Sequence, residues 1–424
     1  MIQGLSAVFW GVVTFSILVV LHEGGHFAMA RVFGVKVHEF MIGLPGPAIR
    51  LHGKKTTYGI TAIPLGGYVR IAGMEPGPED ELLADALALV TRTRGANVAD
   101  VSEALGVDSK RAESLLTTLD DWDAISLADD ADSSGAEVFL ALTDAHLADN
   151  PKALLDAARA QTYRGLPTWK RVVLLSAGVV VNLVSAILVF VLVLTLYGVP
   201  TATLKVEALG KGSAAAVAGI KPGDTVKALG TETLKDWTAL IGALSSHKPG
   251  DSISVTVVRN GVERVIPVVL GAAPDGRARL GVQAASENVH LSVTAALKDS
   301  FTWIGLVFKA IGGFFNPQTF KTSVSQSSSV VGISVEVARA VQRGPIDYAF
   351  IVALLSLSLG VMNILPIPPL DGGKIAVEVI ERVVGRPLSR KLSLGLSAAG
   401  ALVLFTFIGY LMYADVVRYV VKGG

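Results

Sequence analysis

Four stretches of this 424-residue chain are apolar for long enough to cross a bilayer as helix: Leu5 to Ala30, Val172 to Val199, Tyr348 to Leu370 and Leu394 to Met412. A span needs about 20 residues. Polar residues fall in blocks between these stretches, so the pattern predicts a polytopic α-helical membrane protein with four transmembrane helices and soluble parts between them. A fifth apolar run, Phe301 to Phe315, is short and interrupted by Lys309 and the Gly312-Gly313 pair. It reads as an amphipathic segment lying on membrane lipid. No basic residue precedes Leu5 and no small-residue cleavage site breaks the run, so the first span is expected to stay rather than leave as a signal peptide.

The polar blocks carry patterns of their own. From Thr203 to Gly271, a turn at Ala218 to Asp224, helical spacing over Leu234 to Leu244, and strands Ser252 to Arg259 and Val262 to Leu270 flanking Asn260-Gly261 predict a soluble α/β domain. Between 79 and 155, Val98 to Leu105, a turn at Gly106, an N-cap at Asp108 and Ala112, Leu115, Leu116 and Leu119 at helical spacing predict a small helix-turn-helix. Val138 to Leu142 supplies a wing strand, which makes the insert winged-helix-like.

Composition narrows the chemistry. Cysteine is absent, which excludes disulfides, thiolate metal sites and cysteine nucleophiles, so any metal is held by His and carboxylate. The net charge of +1 hides an uneven distribution: residues 79 to 150 hold seventeen Asp and Glu against four Arg and Lys. That imbalance argues against a nucleic-acid partner for the winged-helix-like insert, because such affinity rests on neutralised phosphates. A regulatory role with a cytosolic protein partner is the better expectation. Basic residues flank the spans asymmetrically: Arg31, Lys36, Arg50, Lys54, Lys55 and Arg70 follow the first, Lys170 and Arg171 precede the second, and Lys374, Arg382, Arg386, Arg390 and Lys391 separate the last two. These segments are expected in the cytosol of a cell whose plasma membrane the chain crosses, with both termini and the 203–271 domain outside, although Arg418 and Lys422 run against the rule.

The candidate chemistry lies where the first span meets this cytosolic end. His22-Glu23-Gly24-Gly25-His26 closes a run, Leu5 to Leu21, that has no ionisable side chain. Residues four apart share a helix face, so His22 and His26 can offer imidazoles to one zinc ion while Glu23 lies beside it to take a proton from the attacking water. Ionisable groups inside a membrane are costly unless paired or functional. A third ligand is offered by Asp371 in Asn363-Ile-Leu-Pro366-Ile-Pro-Pro-Leu-Asp371-Gly372-Gly373, since it ends an apolar run heading inward and reaches the depth of the His pair. Three prolines there break the helix, which a membrane tolerates only in buried or cavity-lining segments. His38, His52, His146, His247 and His290 lie outside any ligand spacing and are expected at the surface or in cores.

His-Glu-x-x-His in a first span, with Asn-x-x-Pro and Leu-Asp-Gly in a later one, resembles the site-2 protease family of intramembrane zinc metalloproteases, in its bacterial regulator-of-sigma-E protease-like branch. Ile63-Pro64-Leu65-Gly66-Gly67-Tyr68-Val69 resembles that branch's membrane-associated β-hairpin, and Trp169-Lys170-Arg171 followed by Ala177-Gly178 and Asn182 resembles its second span, with Val179 where the family usually has Pro. The resemblance covers roughly residues 1 to 75 and 160 to 416 and leaves out the acidic insert. It implies a PDZ fold for 203–271, substrate-positioning roles for Asn363 and Asn182, and hydrolysis of a peptide bond in or near the transmembrane helix of a single-span, anti-sigma-factor-like substrate, after a first cleavage of its outer domain. The chain then divides into a first helix with the zinc motif (1–30), a β-hairpin (31–75), the insert (79–155), a linker and second helix (160–199), the PDZ domain (203–271), an outer amphipathic region (286–346), a third helix with the third ligand (347–373) and a fourth helix (392–416). Two rival functions stay open: a non-proteolytic PDZ scaffold with a structural metal, and a membrane-anchored zinc protease acting on exposed loops.

Overall fold

The computed structural model describes residues 2–63, 66–75, 77–128, 137–143, 146, 148–273 and 275–417. Pro64, Leu65, Arg418 and Lys422, invoked above, lie outside these residues. Among the described residues four helices are long and apolar enough to span a bilayer.

The first of them, α1 (Ile2–Val32), runs through the His-Glu-x-x-His motif without a break and stops where Gly34 turns left-handed at φ 76° and Val35 N–H closes on the Ala30 carbonyl. Four strands follow: β1 (Val37–Ile42), β2 (Ala48–His52), β3 (Thr57–Thr61) and β4 (Gly67–Ile71). They form one sheet in the order β2-β3-β1-β4. This corrects the expected hairpin over 31–75: β3 and β4 do not pair, because β1 lies between them, parallel to β3 and antiparallel to β4. The hairpin that does form is β2 with β3. Sequence patterns report neighbouring strands joined by short turns, and a parallel pairing across a strand leaves no such local signal. β4 is an edge strand.

The acidic insert contains α2 (Leu83–Thr93), α3 (Val98–Leu105), α4 (Ser109–Asp121), a two-stranded ladder of β5 (Ile125–Leu127) with β6 (Phe139–Ala141), and α5 (Pro151–Arg159). Its caps follow from the sequence. Asn97 and Asp100 form a reciprocal capping box at α3, and the Asp108 side chain accepts from Arg111 N–H at α4. Leu87, Val101, Leu116, Leu119, Trp122 and Ile125 fill a core fully removed from solvent, so the acidic surface covers an ordinary apolar interior.

After α6 (Thr168–Leu196) comes a separate compact unit, Val191–Asp299. It holds β7 (Val199–Leu209), α7 (Ala214–Ala218), β8 (Thr225–Leu229), β9 (Glu232–Thr233), α8 (Trp237–Ser245), β10 (Ser252–Arg259), β11 (Val262–Val269), β12 (Gly271–Ala272), β13 (Ala278–Arg279) and β14 (Val282–Val289). The main sheet runs β11-β10-β8-β7-β14, so it takes in a strand beyond residue 271. The turn at Asn260-Gly261 joins β10 to β11, with positive φ at both residues. Buried Asp224 is held by a two-pronged pair with Arg259, 2.7 Å at each oxygen.

The remaining helices are α9 (Val293–Gly312), α10 (Phe320–Gln326), α11 (Val330–Arg343), α12 (Pro345–Ile364), α13 (Asp371–Val384) and α14 (Arg390–Val416). The third span ends six residues before Leu370, at Ile364, because Pro366 cannot continue it. The chain turns through 365–370 and starts α13 at Asp371. Glycines permit this close fold: a Cβ at Gly372 would lie 2.2 Å from the Ile364 carbonyl oxygen, and one at Gly373 2.2 Å from Pro368 N. From the other side, Gly400 of α14 brings its backbone against the Pro368 carbonyl.

Candidate metal centre

The helical spacing of His22 and His26 and the turn before α13 bring three side chains together. His22 Nε2 lies 2.9 Å from Asp371 Oδ2, His26 Nε2 lies 3.2 Å from the same oxygen, and the two Nε2 atoms are 3.4 Å apart. All three residues are buried, and their ligating atoms form the cluster of His, Asp and Glu residues able to hold a metal among the described residues. Neighbouring ligand atoms of a tetrahedral zinc with bonds near 2.0–2.1 Å sit about 3.3–3.4 Å apart, so the observed edges fit that ion with a few tenths of an ångström of adjustment. The donor set, two imidazoles and a carboxylate, also leaves a fourth position free, as catalytic sites require.

Around the three ligands the packing is tight. His26 Nδ1 donates to the Leu174 carbonyl of α6 at 2.9 Å, and Lys374 Nζ lies 3.4 Å from Asp371 Oδ1. Glu23 is outside the ligand cluster and partly buried, with His22, His26, Lys374 and Asp371 as the ionisable groups around it. Gly67, which opens β4, faces the same helix: a Cβ there would meet Val19 at 2.9 Å and Glu23 Cγ at 3.8 Å. Asn182 also joins the site, its Nδ2 lying 3.3 Å from His22 Nδ1. Asn363 does not; it is buried but donates from Nδ2 to the Leu359 carbonyl one turn back on α12.

Gly25 and Gly178 stand in the sequence motifs, but the sequence did not show that they let α1 and α6 touch at this level. A Cβ on Gly25 would lie 2.6 Å from the Ala177 carbonyl oxygen, and one on Gly178 2.5 Å from His26 Nε2 and 2.8 Å from His22 Cε1. Small residues at the depth of the His pair were the available signal, since membrane helices approach closely only across them. Gly178→Ala is expected to displace the ligating nitrogens, lowering turnover on the order of 100-fold, the scale set by ångström misplacement, and weakening zinc retention. Zinc content and peptide-bond cleavage measured on one preparation check this; an Ala variant with native values for both contradicts it.

Four helices apolar enough to span a bilayer, together with a buried His, His, Asp cluster and the Glu23 carboxylate outside it, are the marks of a membrane metalloprotease. The chain belongs to peptidase family M50, whose profile matches residues 10–407, and it is a zinc metalloendopeptidase acting on a membrane substrate. It is 26% identical over 402 residues to the zinc metalloprotease RasP of Geobacillus kaustophilus, covering 92% of this chain and 93% of that one. It is likewise 26% identical over 416 residues to the regulator of sigma-W protease RasP of Bacillus subtilis, covering 95% and 94%. The RasP of Shouchella clausii is 29% identical over 387 residues, with coverage of 88% and 90%. Among solved structures, the PDZ domain of an SdrC-like protein from Listeria monocytogenes covers 20% of this chain and 90% of its own length, at 18% identity and a TM-score of 0.19.

Proposed function

We propose that the chain hydrolyses a peptide bond in or beside the transmembrane helix of a single-span protein, with His22, His26 and Asp371 holding zinc and Glu23 as the general base. The observation that carries this reading is the convergence of three buried ligand atoms, with Asp371 345 residues beyond His26 in sequence, beside a carboxylate that is not one of them. His22, His26 and Asp371 would hold the zinc, which would supply a Lewis acid for the scissile carbonyl and for the attacking water. Glu23 accepts the proton of the attacking water as its oxygen bonds to the carbonyl carbon, then delivers that proton to the amine as the C–N bond breaks. The assignment separates base from ligand, which metal analysis of single variants tests directly.

A helical substrate hides its carbonyls in its own hydrogen bonds, so it must unwind before it can be cut. We propose that the free edge of β4 pairs with the unwound segment, since that strand begins against Glu23. A cavity of about 1140 Å³ is lined in part by Tyr68 and Val69 of β4, by Leu175 of α6, and by Gly373 and Lys374, which follow Asp371 on α13. One relative is named for regulating a sigma factor. By that likeness the substrate class is an anti-sigma-factor-like protein with its N-terminus in the cytosol, cut after its outer part has been trimmed. Two substrates differing only in outer-domain length are expected to be cleaved at rates at least tenfold apart, and a photo-crosslinking residue at Tyr68 to capture the trimmed one. Equal rates, or capture of neither, remove the proposal.

The insert reads as a cytosolic, winged-helix-like regulatory module that meets a cytosolic protein partner, and the Val191–Asp299 unit as an outward PDZ domain. Support for the first comes from how α4 is fastened to the catalytic sheet. Asp121 accepts from Gly73 N–H at 2.8 Å and from Arg70 at 3.3 Å, its carbonyl lies 2.7 Å from His38 Nε2, and Lys36 pairs with Asp123 at 2.7 Å. Arg70 and His38 belong to β4 and β1, so force on the insert reaches the strand beside Glu23. Asp121→Ala is expected to lower cleavage several-fold with zinc content unchanged. Labels on the insert are expected to be shielded from outside reagents in intact cells, and labels on the 203–271 segment to be exposed. Native cleavage in the Asp121 variant, or an insert labelled from outside, contradicts the reading.

A further inference from the structure

His22 and His26 both face Asp371 through Nε2, so the other ring nitrogen must carry the proton if Nε2 is to keep a lone pair for a metal. For His26 the backbone settles the matter. Its Nδ1 lies 2.9 Å from the Leu174 carbonyl oxygen, which can only accept, and so Nδ1 bears the hydrogen. His22 has no carbonyl in that place; its Nδ1 faces the fully buried side chain of Asn182, with Nδ2 3.3 Å away and Oδ1 buried without a hydrogen-bond partner among the described residues.

The two ends of the Asn182 amide act on His22 in opposite ways. An amino group there donates to Nδ1 and drives the imidazole proton to Nε2, into the space shared with Asp371 and His26. A carbonyl there accepts from Nδ1–H and leaves Nε2 bare. The two ends have the same shape, so the hydrogen-bond network decides which faces His22. The exchange carries the amino group to the place where Oδ1 has no partner, so the count of bonds does not choose between the two orientations; a His22 whose Nε2 lone pair is free for a metal carries its proton on Nδ1, and only the carbonyl end can accept it.

The side chain is well placed to impose this choice. The Asn182 backbone carbonyl accepts from Ser356 Oγ of α12 at 3.0 Å and from Ser185 Oγ at 3.1 Å, and Gly360 of α12 comes so close that a Cβ there would lie 3.4 Å from the Asn182 Cβ. Asn182 is thus fixed against the helix that leads to Asp371 while its amide reaches the first ligand on α1.

We infer that Asn182 is a positioning residue for the metal site rather than a substrate contact: its side-chain carbonyl accepts the His22 Nδ1–H and holds the ring with the Nε2 lone pair turned toward Asp371 and His26. The inference rests on the reading of His22, His26 and Asp371 as zinc ligands.

The test uses the purified full-length protein. Zinc affinity is measured by competition with a chromogenic chelator for the native chain, Asn182→Leu and Asn182→Asp. Asn182→Leu keeps the volume but loses the acceptor, and is expected to weaken zinc binding roughly 10- to 100-fold, the usual cost of losing an outer hydrogen bond to a ligand. Asn182→Asp still accepts from Nδ1–H and is expected to recover affinity to within a few-fold of native. A Leu variant as tight as native, or an Asp variant as weak as the Leu variant, overturns the role; if the Leu variant does not fold, the Asp variant decides it, binding within a few-fold of native if the role holds and at least about tenfold more weakly if it does not. A native chain that binds no zinc overturns the metal-site reading itself, so the two failures are told apart.

Discussion

Glu23→Gln is expected to abolish peptide-bond cleavage while zinc stays near one per chain. The amide keeps the shape of the carboxylate but cannot take a proton from water, and a positioned base contributes roughly 100- to 10,000-fold to rate. Glu23 lies outside the His22, His26, Asp371 cluster, so its neutralisation leaves all three ligands in place. Loss of zinc along with activity in this variant would mean that Glu23 is itself a ligand.

Asp371→Ala is expected to lose zinc and activity together. It removes the one anionic ligand, and Asp371 Oδ2 is the atom on which both Nε2 atoms converge, at 2.9 and 3.2 Å. The cost in affinity is expected to exceed the roughly 10- to 100-fold seen when only an outer hydrogen bond to a ligand is lost. Removing it also takes from Lys374 the carboxylate that lies 3.4 Å from its Nζ. Full zinc occupancy in Asp371→Ala rules out the third-ligand assignment, and His22→Ala is expected to behave as Asp371→Ala does.

How far the sequence carries the account depends on the range of the interaction that fixes each feature. The spans were legible because about 20 apolar residues can do little else. The caps at Asp108 and Asn97 and the turn at Asn260-Gly261 lie within a few residues of the elements they shape, and so they could be read or rationalised locally. The expected orientation of the third span puts Asp371 at the level of His22 and His26, and the fold brings the three side chains together. Pairing of β1 with β3 in parallel, by contrast, joins strands with β2 between them in sequence and has no turn to announce it. The strand Val282–Val289 alternates weakly and was left outside the 203–271 domain, although it pairs with Val199–Leu209 along most of its length.

The surroundings of the ligands were the least legible part. Gly25 and Gly178 matter for what they lack, and a missing Cβ gives no periodic signal; only the paths of α1 and α6 show that no side chain fits. Asn363 and Asn182 looked alike in sequence, each an Asn in an apolar run. In the fold Asn363 turns back to Leu359 of its own helix, while Asn182 reaches across to His22. A buried Asn must bond to something, and which partner it finds is a property of helix packing rather than of spacing along the chain.

The central claim, zinc-dependent cleavage within a membrane, is tested most directly by incubating the purified chain in lipid vesicles with a tagged single-span substrate, with chelator, and with chelator followed by zinc, and mapping the cut by mass spectrometry. The account predicts a cut in or within a few residues of the substrate's transmembrane helix that disappears with chelator and returns with zinc. Cleavage that persists without metal, or that maps only to an exposed loop, contradicts it.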